Sequence, residues 1–136
     1  MKKGRKVAAK QEESSLTKDL AQITRGSAFA VLLTLLCIIL FAVVMQLSSL
    51  SESIIRPVVQ VVRILSIAVG GIYAAGKGVR RGWLKGAGTG ILYVILVSLI
   101  RIVSGGQFAF DRIFLSDMIM AIIVGTVGGA IGINLR

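Results

Sequence analysis

The chain has no histidine, one cysteine and one proline, and its six acidic residues are few beside sixteen lysines and arginines. Without histidine, the commonest metal ligand and the side chain that titrates nearest neutral pH are missing. The single cysteine, Cys37, excludes an intramolecular disulfide; set in an apolar run, it reads as a small packing or lipid-facing residue. Beyond the first 25 residues the only acidic side chains are Glu52, Asp111 and Asp117, which leaves little for paired-carboxylate acid–base work. No nucleophile–base set, CxxC or HExxH is present. The glycine-rich segments do not match a phosphate-binding loop, and they lie in apolar runs rather than after a strand. These absences point away from an enzyme, and neither a metal nor a cofactor is expected.

What is present is apolar. The chain is 55% hydrophobic and 16% charged, with a mean hydropathy of +0.87, whereas soluble domains carry about 45–50% apolar residues and about 25% charge. Residues 26–51 contain no charge, a run of 26 residues. That is longer than the apolar core of a cleaved signal peptide, about 7–15 residues. Further apolar runs give four expected spans at about 27–47, 57–76, 83–103 and 113–135. Each suffices to cross a hydrocarbon core of about 30 Å at about 1.5 Å per residue. The fold class expected is an all-α polytopic membrane protein, a bundle of four transmembrane helices in residues 26–136. Residues 1–25 precede it as a basic cytoplasmic tail, partly disordered or forming an interfacial helix.

The net charge of +10 suggests nucleic acid, but no base-stacking or groove-reading pattern accompanies it, and the basic residues fall where topology puts them. With the N-terminus inside, twelve lie on the cytoplasmic side and three (Arg56, Arg101 and Arg112) outside, with Arg63 in the membrane. This asymmetry predicts both termini in the cytoplasm. Lys77, Arg80, Arg81 and Lys85 cluster between spans two and three; they read as a cytoplasmic loop that contacts anionic lipid headgroups, with Lys85 snorkelling back to them.

Within the spans two features stand out. Gln60, Arg63, Ser66 and Gly70 recur at helical spacing and share one face of span two. An arginine in a span costs about 2.5–3.5 kcal/mol on insertion scales, so Arg63 needs a partner or a use. Asp117, the acid embedded in span four, is the expected partner. The pair reads either as an internal tie between spans or as a contact for an anion or substrate. The second feature is glycine. Gly82, Gly86 and Gly90 repeat every fourth residue, and Gly125, Gly128, Gly129 and Gly132 form two interleaved GxxxG pairs. With Gly70, these faces serve packing inside the bundle or contact with a second copy or a larger membrane partner.

The intramembrane Arg63, the segment GGIYAAGKGVRRGWLKGAGTGILY and the glycine-rich last helix GTVGGAIGINL resemble the small uncharacterised four-span membrane proteins of Gram-positive bacteria (the YrzE-like family). The resemblance runs from about Ser27 to the end. It implies a multi-pass architecture and a bacterial cytoplasmic membrane, and carries over no functional residue. The function expected is that of a non-enzymatic accessory or scaffold component packing through glycine-rich faces. The alternative is a small channel or transporter component in which Arg63 meets an anion or substrate.

Overall fold

The computed structural model describes residues 2–48, 51–76, 81–107 and 112–135, with side chains from residue 7 onward. They form helices α1 (Lys2–Leu47), α2 (Ile55–Ala74), α3 (Gly82–Val103) and α4 (Arg112–Asn134), with a short 3-10 turn (Glu52–Ile54) ahead of α2. No strand occurs among the described residues. All four helices are long and apolar enough to cross a membrane, and the chain is an all-α, multi-pass membrane protein.

The helices run alternately up and down. The start of the α1 span lies against the end of α2, where Gly26 meets Gly70 and Ala74, and the start of α3 lies against the end of α4, where Gly82 meets Gly129 and Ile133. Both termini therefore emerge at one end of the bundle. α2 and α3 touch each other and flank both remaining helices, while no Cα of α1 comes within 8 Å of one in α4 among the described residues. The α3–α4 turn needs a left-handed backbone at Gly105, φ 84°. There Gly105 N–H donates to Ile102 and Gly106 N–H to Arg101, closing the helix end.

Two boundaries differ from the sequence reading. Pro57 is the third residue of α2, which begins at Ile55. Proline is accommodated there because the first four N–H groups of a helix have no intrahelical partner. The larger difference is α1. Residues of the expected tail and of the first span form one helix of 46 residues, roughly 69 Å long at 1.5 Å per residue. Gly26 does not end the helix, since its role lies between helices. A Cβ there would stand 2.6 Å from the Ala74 Cβ and 2.8 Å from the Gly70 carbonyl oxygen, so the missing side chain is what lets α1 lie against α2.

Small residues form the interior. Ala30, Ala74, Ala75 and Ala121 are buried with Ile67 and Val94, and Tyr93 is the largest fully buried side chain. Leucine and isoleucine face outward, among them Leu32, Leu36, Leu40, Ile119 and Ile123. Acyl chains are as apolar as leucine, so burial drives no association between helices in lipid. Close van der Waals contact does, and small residues permit it.

Candidate functional site

The glycines are divided between neighbours by their register. A Cβ on Gly86 would collide with the Gly125 carbonyl oxygen and one on Gly125 with the Gly86 carbonyl; Gly129 meets the Gly82 carbonyl and Gly90 that of Ala121. The Gly125/Gly129 pair thus faces α3. Gly128 and Gly132, three residues further round, face α2: Cβ atoms there would stand 2.5 Å from the Ala68 carbonyl oxygen and 2.8 Å from that of Ile72. Gly70 faces Ala30 of α1, where its Cβ would stand 2.7 Å from the alanine Cβ. Of the two uses expected of these faces, packing inside the bundle is the one that the contacts among the described residues display.

A polar cross-brace ties all four helices together around the middle of the bundle. Arg63 Nη1 of α2 donates to Asp117 Oδ2 of α4 at 2.5 Å, each side chain about a quarter exposed. From α3, the Tyr93 hydroxyl shares a 3.0 Å hydrogen bond with Thr34 of α1 and lines the same cavity as Arg63. Thr34 also returns a bond to the Ala30 carbonyl, and Gln60 donates to the Met120 sulfur at 3.5 Å. Every helix thereby contributes at least one polar side chain, and within a bilayer such groups must find partners in the protein. Tyr93 is the member that sequence reasoning missed. Its signal was positional: it follows Gly86 and Gly90 on the same helical face, an aromatic with a polar tip where the other residues are small.

At the end bearing the termini lies a second cluster. Lys85 is 4% exposed; its ammonium donates to Gln22 Oε1 at 2.6 Å and pairs with Asp19 Oδ1 at 2.7 Å, both on α1. The expectation that Lys85 snorkels to lipid headgroups is therefore corrected, because α1 supplies a carboxylate and an amide where headgroups were assumed. Asp19, Gln22 and Gly26 follow one another at three and four residues, so a single face of α1 carries both the polar partners and the close contact. Of the other loop cations, Arg81 is exposed directly before α3, and Lys77 and Arg80 lie outside the described residues.

Replacing Lys85 by Met is expected to leave the bundle assembled while loosening the start of the α1 span. Hydrogen exchange at amides 19–26 should quicken, with about 1–2 kcal/mol lost. The lower part of the range for a charged hydrogen bond applies because Asp19 is partly exposed.

At the opposite end, beside the α3–α4 turn, the helices line a half-open cavity of about 450 Å³ whose polar lining is Arg63, Tyr93, Ser98, Arg101, Gln107 and Asp117. Thr89 and Thr126 bond back to carbonyls one turn earlier, those of Lys85 and Ile122.

A family model described as "Protein of unknown function (DUF3792)" matches residues 19–132, a span that includes both ionic clusters and all the glycines named above. The "Uncharacterized membrane protein YrzE" of Bacillus subtilis (strain 168) is 23% identical over 129 residues, covering 91% of this chain and 85% of that protein. No solved structure matches the chain.

Proposed function

We propose, since this chain belongs to the DUF3792 family and is a multi-pass membrane protein, that it serves as a non-enzymatic accessory component of a larger membrane assembly. The observation that carries this reading is α1. Residues 7–18 are exposed on every side, yet they continue without a break the helix that Asp19 and Gln22 fasten to Lys85. A helix that stands clear of its own bundle while rooted in it is suited to hold a neighbour at a set distance. An unbroken helix also leads away along its axis, which disfavours the alternative of a tail lying in the membrane interface.

The ionisable groups inside the bundle support the non-enzymatic part of the proposal, because they engage one another: Arg63 with Asp117, and Lys85 with Asp19. This reading sets the protein in the bacterial cytoplasmic membrane with both termini inside. The distribution of twelve basic residues against three and a bacterial relative support that setting. Anionic headgroups are then the lipid neighbours of the exposed Arg81.

Cross-linking in native membranes, followed by isolation in mild detergent, tests the proposal. The full chain should recover one larger membrane protein in fixed proportion. A variant lacking residues 2–18, which keeps Asp19 and the whole bundle, should lose it. Recovery of a homo-oligomer alone, or of the same partner with the shortened chain, would refute the arm as the point of contact.

A further inference from the structure

The cavity beside the α3–α4 turn combines features that internal bracing does not require. Arg63, Arg101 and Asp117 all line it, with Arg63 paired to Asp117, so the described lining residues include two cations and one anion. A guanidinium has five N–H donors in a planar fork, and the contact with Asp117 engages one nitrogen of Arg63. Arg101, in the last turn of α3, stands on the same wall with Ser98 and Gln107. Between these groups the lining is apolar, with Val97, Ile113 and Phe114 as its main members. The volume falls within the range of small-molecule sites, about 300–1,000 Å³.

We propose that this cavity binds one anionic oxygen-bearing head group, a phosphate or a carboxylate, attached to an apolar body. The two guanidiniums grip the oxygens through charge-assisted hydrogen bonds, with Arg101 supplying the cation that Asp117 does not already pair. Val97, Ile113 and Phe114 receive the apolar portion. The site gives substance to the anion contact expected of Arg63, with Arg101 as the second cation. It stands independently of the accessory role, since it lies at the end of the bundle away from the projecting arm.

The full chain, purified in a neutral detergent, is titrated with dioleoylphosphatidylglycerol, dioleoylphosphatidylcholine and octyl phosphate, and adducts are read by native mass spectrometry. The anionic probes should bind in preference to phosphatidylcholine by about tenfold, the scale of one lost charge-assisted contact. Arg101→Gln should abolish that preference without lowering the thermal midpoint, and so should Val97→Trp, which fills the cavity. Arg81→Gln, at the other end of the bundle, should leave it unchanged. Phosphatidylglycerol binding without octyl phosphate binding identifies a bilayer lipid as the source, and the reverse identifies a free solute. Equal binding of anionic and neutral probes overturns the proposal. So does a preference that survives Arg101→Gln with the fold intact, and this variant decides alone should Val97→Trp fail to fold.

Discussion

Gly86→Leu is expected to yield no folded bundle, whereas Gly88→Ala two residues away should fold with its stability changed by at most about 1 kcal/mol. At Gly86 the added carbon points at the Gly125 carbonyl oxygen and at the Gly129 Cα, 2.8 Å away. Both are backbone atoms of a helix that cannot bend aside locally. α3 and α4 would have to separate along their whole contact, taking Gly82, Gly90, Gly125 and Gly129 out of register with one another. Overpacking a core commonly costs about 1–3 kcal/mol when side chains can give way; with none to move, the cost here should exceed that range. At Gly88 the nearest atom is the Ile23 Cδ1, 3.1 Å away at the end of a flexible side chain, and a small shift makes room. Size-exclusion profiles and thermal midpoints of the two variants in the same detergent check the contrast. A monodisperse Gly86→Leu protein with a midpoint near that of the parent would show that α3 and α4 do not approach as described.

The glycine spacing is legible in the sequence because a four-residue repeat marks one face of a helix. The identity of the neighbour on that face is not. Two interleaved repeats in α4 look alike on paper, yet their offset of three residues aims one at α3 and the other at α2. Arg63 and Asp117 are matched because each is the ionisable group embedded in its span, which works when few such groups lie within the apolar runs. Lys85 shows where the same reasoning fails. A lysine near the end of a span is consistent with snorkelling to headgroups, and only the path of α1 reveals that Asp19 and Gln22 reach it first. The continuity of α1 was hidden for a related reason. Gly26 after a polar segment resembles a stop signal, while its contacts with Gly70 and Ala74 become apparent only once the helices are assembled. Local rules placed the spans; the pairings between distant residues decide what each polar group does.

The Arg63–Asp117 pair should respond unequally to loss of its two members. Asp117→Leu strands a guanidinium, which keeps its charge at any working pH, and the variant is expected to lose about 3–5 kcal/mol, the scale for orphaning one half of a desolvated ion pair. Arg63→Met strands a carboxyl group, which can become neutral by taking up a proton instead of remaining as an isolated charge. It also removes the arginine that is itself costly within a span. Its loss should be smaller, about 1–2 kcal/mol, chiefly the charged hydrogen bond to Asp117. The double variant Arg63→Met/Asp117→Leu leaves no charge behind, and replacing a whole buried pair by apolar groups is often neutral. It should therefore be more stable than Asp117→Leu alone, with a coupling energy of at least about 1 kcal/mol in the double-mutant cycle. Thermal unfolding of all four proteins in one detergent measures it. Additive losses would mean that the two side chains act independently, leaving the cross-brace to Tyr93 and Thr34. Strong coupling with a stable double variant would separate the two uses of Arg63. A pair that the fold can replace with methionine and leucine is not retained for stability alone, and the surplus donors of Arg63 facing the cavity then supply the reason for a charge inside the membrane.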